Sequence, residues 1–295
     1  MEDQSAAVQY FLPFTIAMIM LAMGLGLVGN DFRRVLEKPR GVIVGLAGQL
    51  VVLPALGFGV AWLFGLGPEL AVGLVLVAAC PGGAHSNLYA SLARADVALS
   101  VTLTAVSGFV TIVTIPPLVR VATQVFATDG ELPALPILDT MVQIFVVMAI
   151  PVLLGMWIRT RSDTWARRLE RLVKGFAILL LALIVVGSVA RQAGDVAGFV
   201  RQAGLPVLVL NVTAMVIGYG IAIATGLPAP QRRTVTLEVG IQNGALAFAL
   251  AAGLLDSIVV AIPAILYSLL VYVTGAFVIV LGRLDTSEST ATIRP

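Results

Sequence analysis

Two stretches of this sequence decide its fold. Residues 69–94 read ELAVGLVLVAACPGGAHSNLYASLAR, and residues 231–255 read QRRTVTLEVGIQNGALAFALAAGLL. Each is long and apolar enough for a membrane-spanning helix, yet each carries helix-breaking residues at its centre. In the first, Pro81-Gly82-Gly83 removes a backbone donor and supports a helix poorly. In the second, residues 238–244 place a carboxylate, two amides and two glycines inside the span. We predict that both helices break there, although a kink in an ordinary helix is the alternative for either segment alone.

The rest of the chain is also too apolar for a water-soluble core. Of its 295 residues, 59% are hydrophobic and 12% are charged, and the mean hydropathy is +1.02. Membrane-crossing helices need about 20 apolar residues, and the alternation that a membrane β-barrel requires is absent. The predicted spans are 10–30, 41–65, 69–93, 97–118, 137–158, 174–190, 205–225, 231–255 and 257–281. We therefore predict an all-α polytopic membrane protein with nine transmembrane helices in one domain, 1–295, and a flexible cytoplasmic tail, 284–295.

The residue types that most enzymes and metal centres need are scarce. With one cysteine, Cys80, and one histidine, His85, neither a disulfide nor a Cys/His metal cluster can form within the chain. His85 and Ser86 diverge by about 100° on a helix, so they do not make a nucleophile and base pair. We also find no P-loop. The sequence predicts neither an enzyme nor a cofactor.

The basic residues predict the orientation of the spans. With the N-terminus outside, only Arg120, Arg191 and Arg201 fall in outer loops, and the remaining basic residues lie on the cytoplasmic side or at its membrane edge. The positive-inside rule therefore selects an N-terminus outside and a C-terminus in the cytoplasm. The cluster from Arg159 to Lys174 is explained by this rule and does not indicate nucleic-acid binding. Because residues 1–10 have no basic n-region, we expect the first span to be retained.

The order of the spans predicts an inverted-topology repeat. If the fifth span is a connector, spans one to four match spans six to nine, with a broken helix third in each set and opposite in direction. Secondary transporters place substrate and ion sites at such breaks. Half-helices that start near Ala84 and near Asn243 direct positive N-termini to the midplane, which favours an anion. The carbonyls of residues 79–81 and 238–241 suit a hard cation such as sodium.

Polar side chains within the spans predict the cation site. Glu238 is the acidic residue that sits deep in a span, and its ionised form costs at least ~2.5 kcal/mol there without a partner. A bound metal cation is the simplest partner. The oxygen-bearing side chains that we expect to share this cation are Ser86, Asn87, Ser100 and Thr104, and a second set is Gln49 and Gln242.

These residues resemble a known family. The segments 80–87 (CPGGAHSN), 93–100 (ARADVALS) and 238–243 (EVGIQN) together are similar to the bile acid:sodium symporter family, and the resemblance covers nearly the whole chain. It implies that spans 10–30, 137–158 and 174–190 form a panel. It also implies that 41–118 and 205–281 form a core carrying two crossing broken helices, with substrate between panel and core.

The resemblance also implies the roles of individual residues. It assigns one sodium to Ser86, Asn87, Ser100, Thr104 and Glu238. It assigns a second sodium to Gln49, Glu238 and Gln242 with the carbonyls of Val239 and Ile241. Substrate is expected at Gly83, Ala84, His85 and Asn243. Ala84 and His85 depart from the family pattern, and His85 either bonds a carboxylate or faces the helix interior, so the identity of the substrate stays open.

The function that follows is sodium-coupled symport of an organic anion, either bile acid-like or a small carboxylate, by alternating access. Its partners are sodium ions, the anion and the lipid bilayer, and the expected location is a bacterial inner membrane. The alternative is a sodium-independent or proton-coupled carrier of the same fold, similar to arsenite or auxin carriers. The sequence leaves the oligomeric state open.

Overall fold

The computed structural model describes residues 2–37, 39–127, 142, 145–191, 193–255 and 257–284. Nearly all of these residues lie in helices, and no β-strand occurs among them. The helices are α1 (Glu2–Gly26), α2 (Gly29–Glu37), α3 (Pro39–Ala47), α4 (Leu53–Leu63), α5 (Pro68–Ala79), α6 (Ala84–Leu92), α7 (Val97–Phe126), α8 (Ile150–Arg161), α9 (Asp163–Arg191), α10 (Ala193–Ala224), α11 (Ala229–Gly240), α12 (Gly244–Leu254) and α13 (Ile258–Leu284). Short π-helical segments, Gly48–Val52 and Phe145–Ala149, precede α4 and α8.

Several of these helices are suited to a bilayer. Four are long and apolar enough to cross one, namely Pro39–Leu63, Val97–Phe126, Ala197–Ala224 and Ile258–Leu284. The pair Pro13–Gly26 and Asp31–Glu37, bent by 77°, gives a fifth if it is counted as one span. The two halves of a broken helix are each too short to cross alone. The count of nine spans therefore stays a prediction. Residues 137–141 and 143–144, in the predicted fifth span, and the tail from 285 lie outside the described residues.

Both predicted helix breaks are present. α5 ends at Ala79 and α6 begins at Ala84, whereas α11 ends at Gly240 and α12 begins at Gly244. The two breaks lie directly against each other, because the N–H of Asn243 donates to the carbonyl of Pro81 at 2.9 Å. An antiparallel bridge also joins Gly82 to Gln242. Each break thus satisfies backbone groups that the other leaves unpaired, as a low-dielectric interior demands.

The broken helices occupy the centre of the protein. Every residue from Leu70 to Ala79 in α5 is buried, and so is every residue from Arg233 to Gly240 in α11. The outer helices show the opposite pattern, since Leu179, Leu183 and Val186 of α9 are each more than half exposed. An apolar exposed surface around a buried polar centre is the arrangement expected of a membrane protein. The buried polar side chains therefore gather at the centre of the protein.

The helices pack in two groups. α1 packs mainly against α8 and α9, whereas α5 packs against α4, α7 and α13, and α11 packs against α10. Glycines allow the closest approach in the first group, because a Cβ on Gly24 would overlap the carbonyl of Val152, and a Cβ on Gly155 would lie 2.6 Å from the carbonyl oxygen of Leu21. α1 also contacts α12, so the two groups meet beside the second break.

The two halves of the chain repeat the same turn before each broken helix. Gly65 follows α4 with φ of 57°, and Gly226 follows α10 with φ of 69°, a conformation that glycine adopts most readily. In each case the next leucine N–H bonds back to the helix, from Leu66 to Ala61 at 3.1 Å and from Leu227 to Ala222 at 3.0 Å. These are glycine-terminated helix ends of the Schellman type.

A second matching feature links the start of each broken helix to the turn after the other. The Ser257 hydroxyl, after α12, donates to Glu69 of α5 at 2.6 Å. The Gln231 amide of α11 donates to Asp96, after α6, at 3.3 Å. The two broken helices are therefore tied together at both outer ends as well as at their breaks.

Candidate ion and substrate site

The site is built around Glu238 in the last turn of α11. Its side chain is fully buried, and two hydroxyls of α7 contact its carboxylate. Ser100 Oγ donates to Oε1 at 2.5 Å, and Thr104 Oγ1 donates to Oε2 at 2.9 Å. Because residues four apart share one helix face, a single surface of α7 supplies both bonds. Among the described residues no ion pair involves this carboxylate. A buried carboxylate held by neutral groups alone is a strong candidate for cation binding.

The first turn of α6 extends this cluster. Asn87 Oδ1 lies 2.8 Å from Ser100 Oγ, and Ser86 Oγ lies 3.5 Å from Thr104 Oγ1 while it donates to the carbonyl of Gly83 at 2.7 Å. Ser100 has a single hydroxyl hydrogen, so it donates to Glu238 or to Asn87 at one time. The structure thus brings together all five side chains that the resemblance assigned to the first sodium.

The second predicted set also meets at the breaks. Gln49, in the π-helical segment, donates from Nε2 to Gln242 Oε1 at 3.2 Å. Gln242 Nε2 donates in turn to the carbonyls of Glu238 at 3.0 Å and Val239 at 2.9 Å. Gln49 Oε1 is buried and has no hydrogen-bond partner among the described residues. Ile241 is adjacent along the chain, but its carbonyl takes part in none of these bonds. An unpaired buried oxygen is costly, so it favours a further ligand.

Gly82 connects the two sets. A Cβ at this position would lie 2.6 Å from Glu238 Oε2, 3.3 Å from Gln49 Nε2 and 3.5 Å from Thr104 Oγ1. Only a residue without a side chain leaves room for these groups to converge. The glycine that weakens the helix in the sequence therefore also gives the site its space.

Two residues that sequence reasoning missed hold the end of α11. Asn211 Nδ2 donates to the carbonyl of Gly240 at 2.7 Å, and the Tyr267 hydroxyl donates to the same oxygen at 2.8 Å. Both side chains are buried. The sequence feature that indicates them is an amide and a phenol inside otherwise apolar spans, since such groups need internal hydrogen-bond partners in a membrane. They fix the position of the half-helix that carries Glu238.

A cavity of about 300 Å³ adjoins the cluster. It lies where α1, α6, α7, α9 and α12 meet, and its polar lining comprises His85, Asn87, Thr104, Glu170, Lys174 and Asn243. The His85 side chain is exposed, and its ring meets Tyr272 edge to face with centroids 5.7 Å apart. Asn243 Oδ1 caps α12 by accepting from the N–H of Leu246 at 3.0 Å. Two predicted substrate residues therefore line one cavity.

The other two predicted substrate residues border the first break. Gly83 is buried beside Asn243 and Gln242, and Ala84 is the first residue of α6. Sequence analysis assigned Lys174 to the cytoplasmic basic cluster, and the structure adds that its side chain lines the cavity with Glu170. Opposite charges four residues apart at the start of a predicted span are visible in the sequence, but they look like an ordinary helix end.

Comparison with known proteins bears directly on this arrangement. The profile of the Sodium Bile acid symporter family matches residues 13–199, which is more than half of the chain. The chain belongs to this family. The matched region contains Ser86, Asn87, Ser100 and Thr104, whereas Glu238 lies beyond it.

Individual relatives extend the family match over most of the chain. This chain is 31% identical to "Probable sodium/metabolite cotransporter BASS2, chloroplastic" of Oryza sativa subsp. japonica, over 85% of this chain and 59% of that protein. It is 30% identical to "Uncharacterized sodium-dependent transporter YocS" of Bacillus subtilis (strain 168), over 82% and 73%. It is 27% identical to "Ileal sodium/bile acid cotransporter" of Cricetulus griseus, over 81% and 68%. The chain spans about 60% of the length of the chloroplast relatives.

Proposed function

We propose that the protein is a sodium-coupled symporter of an organic anion that works by alternating access in a bacterial inner membrane. The observation that carries the proposal is Glu238, a fully buried carboxylate at a double helix break, contacted by the hydroxyls of Ser100 and Thr104. An ionised carboxylate in the bilayer interior costs at least ~2.5 kcal/mol unless a cation accompanies it. Sodium is the cation that oxygen-only surroundings of this kind suit.

The first sodium site consists of Ser86, Asn87, Ser100, Thr104 and Glu238. Their side chains already lie in one chain of oxygen–oxygen contacts of 2.5 to 3.5 Å, and hydroxyl groups can turn a lone pair towards a cation without moving their heavy atoms. Sodium binding therefore requires the hydroxyl hydrogens to reorient but requires little movement of the backbone. One carboxylate together with several neutral oxygen ligands suits a hard, singly charged ion.

The second sodium site consists of Gln49, Glu238 and Gln242 with the carbonyls of Val239 and Ile241. Support comes from Gln49 Oε1, which is buried without a partner among the described residues. The Gln242 amide nitrogen now contacts the carbonyls of Glu238 and Val239. Sodium binding there requires the amide to turn, so that its oxygen replaces its nitrogen beside the carbonyls. The two sites share Glu238, and sodium binding at one is expected to depend on the other.

The architecture that serves this function is a panel moving against a core. α1, α8 and α9 form the panel, and the remaining helices form a core of two inverted repeats. The matching turns at Gly65 and Gly226 and the matching contacts at the outer ends of the broken helices support the repeat. The ties between the broken helices favour their movement as one body.

The orientation follows from the basic residues, with the N-terminus outside and the C-terminus in the cytoplasm. The cavity is lined by the last two turns of α1 and by Glu170, Lys174 and Ala177 in the first half of α9, beside the basic residues Arg167 and Arg171. It therefore lies towards the basic, cytoplasmic side, as in an inward-facing conformation.

Coupling to two sodium ions supplies adequate energy. A tenfold sodium gradient gives ~1.4 kcal/mol per ion, and one net positive charge adds ~2.3 kcal/mol per 100 mV. With a monovalent anion the total is about 5 kcal/mol, enough to concentrate substrate more than a thousandfold. No observation favours an arsenite carrier, since the Cys80 thiol is buried and is not part of the cavity lining.

Sodium binding by the purified protein tests the proposal. We expect sodium chloride, compared with choline chloride, to raise the unfolding temperature of the wild-type protein in detergent. Glu238→Gln keeps the size of the side chain and removes its charge, so it should abolish this stabilisation and sodium-driven anion uptake by proteoliposomes. A Glu238→Gln variant that sodium still stabilises to the same extent would exclude the proposed ion sites.

Accessibility of the cavity from the two sides tests alternating access. Cys80 is first replaced by Ala, and Ala245, which lines the cavity, is then replaced by Cys. A membrane-impermeant thiol reagent is applied to either side of oriented vesicles. We expect sodium to increase labelling from outside and decrease it from inside, because a ligand shifts conformations through its differential affinity. Labelling that is equal from both sides and indifferent to sodium would indicate a channel or a static protein.

A further inference from the structure

Two opposite charges of α9 line the same cavity as the broken helices. Glu170 and Lys174 both line it, together with His85 and Asn243 from the breaks. Neither charged residue belongs to the predicted sodium sites. α9 therefore brings a negative and a positive group to the cavity, and the broken helices bring hydrogen-bonding side chains.

Glu170 and Lys174 do not form an ion pair with each other. Glutamate four residues before lysine is the favourable order for pairing along a helix. Other pairs at this spacing do form, such as Arg159 with Asp163 at 2.9 Å. Among the described residues, however, no ion pair within 4.0 Å involves Glu170 or Lys174. The Glu170 carboxylate instead lies over Gly26, where a Cβ would be 3.5 Å from its Oε1. Both groups are half-buried, so a ligand would gain from contacting them.

The size and the apolar lining of the cavity limit the ligand. Its volume of about 300 Å³ is at the lower end of the range for small-molecule sites. The remaining lining is apolar and comes largely from α1, through Ile19, Met23 and Leu27. A compact ligand with a short aliphatic body fits this space better than a rigid steroid does.

We propose that Glu170 and Lys174 form a subsite that selects small aliphatic carboxylates carrying a hydroxyl group beside the carboxylate. Lys174 binds the carboxylate with a charge-assisted hydrogen bond, and Glu170 accepts a hydrogen bond from the hydroxyl. This inference rests on the proposed transport function and assigns its substrate class. A plain carboxylate leaves Glu170 facing an apolar carbon, and unpaired polar groups of a site are what reject such analogues.

Sodium-driven uptake by proteoliposomes containing the full chain tests the subsite. The probes are hexanoate, 2-hydroxyhexanoate and cholate. For the wild type we expect roughly tenfold higher kcat/KM for 2-hydroxyhexanoate than for hexanoate, and no uptake of cholate. Lys174→Gln should raise KM for both short acids by roughly tenfold. Glu170→Leu, which removes the acceptor oxygens that glutamine would keep, should remove the preference for the hydroxylated acid and leave hexanoate uptake equal or better.

Arg171→Gln is the matched control, because it removes one charge from the same helix at an exposed position that does not line the cavity. It should transport like the wild type. Variants of Glu170 and Lys174 that behave like Arg171→Gln, or cholate uptake comparable with that of the short acids, would overturn the subsite. Sodium-dependent stabilisation without any anion separates the two claims. If sodium stabilises every variant but no preference appears, only the subsite fails; if sodium does not stabilise the wild type, the proposed function fails too.

Discussion

Replacing Gly82 by alanine adds one methyl group at the point where the two proposed ion sites meet. The new Cβ would lie 2.6 Å from Glu238 Oε2 and 3.3 Å from Gln49 Nε2. To reach an ordinary contact of ~3.5 Å, the carboxylate oxygen must retreat by roughly 1 Å. This shift exceeds the tolerance of metal–ligand distances, which is about 0.2 Å. We therefore expect Gly82→Ala to weaken sodium binding by at least ~tenfold, equivalent to about 1.4 kcal/mol.

Gly83→Ala is the control for this measurement. It lies in the same break with φ of −94° and ψ of 158°, which alanine adopts without strain. Its Cβ would meet its nearest neighbours at 3.6 Å, an ordinary contact. The assay is the unfolding temperature of each purified variant as a function of sodium concentration, with choline chloride at equal ionic strength. Overpacking costs of about 1–3 kcal/mol also lower the baseline stability of Gly82→Ala, so the sodium dependence is the quantity to compare.

The result that would refute the reasoning is specific. If Gly82→Ala binds sodium within about twofold of the wild type, the cluster around Glu238 is not the ion site, because a displaced ligand must change affinity. If Gly83→Ala loses sodium binding equally, the loss is caused by reduced flexibility of the helix break and not by contact with Glu238. Only a loss confined to Gly82→Ala supports the convergence of both sites on this glycine.

Three further outcomes are expected. Thr104→Val removes the hydroxyl that donates to the buried Glu238 carboxylate and should weaken sodium binding about tenfold. Thr102→Val removes a hydroxyl that donates to a backbone carbonyl and should leave sodium binding unchanged. Gln49→Leu should lower the Hill coefficient of sodium-dependent uptake from near two towards one, and an unchanged coefficient would exclude a second site there. Gly24→Ala should lower the unfolding free energy by about 1–3 kcal/mol, because its Cβ overlaps α8. Gly29→Ala, whose Cβ would meet nothing within 4 Å, is the comparison in the same thermal unfolding assay.

Local chemistry was enough to predict the breaks and the polar cluster. Proline and glycine in an apolar span weaken a helix wherever they occur, and α5 and α11 end within a residue or two of the predicted positions. The oxygen-bearing side chains that the family resemblance groups into the first site do lie in contact in the folded chain. Their function as sodium ligands stays a prediction.

Other features needed the fold. Asn211 and Tyr267 are 29 and 27 residues from Gly240, and nothing local indicates that both bond to its carbonyl. The same holds for Lys174, which the positive-inside rule explains fully as a cytoplasmic charge. A residue can satisfy that rule and still line a cavity, because the rule concerns which end of the span it occupies and not which way it faces.

The sequence by itself determined that this chain is helical and apolar, that two spans are interrupted, and which residues bring oxygen atoms into an apolar interior. These are properties of single segments, set by backbone chemistry and by the cost of burying polar groups. Only the tertiary structure decided that the two breaks touch, that Gly82 leaves space for Glu238, and that a charged wall of α9 faces the same cavity. The physical reason is that these features depend on distances between segments far apart in the chain, which close packing fixes and no local pattern encodes.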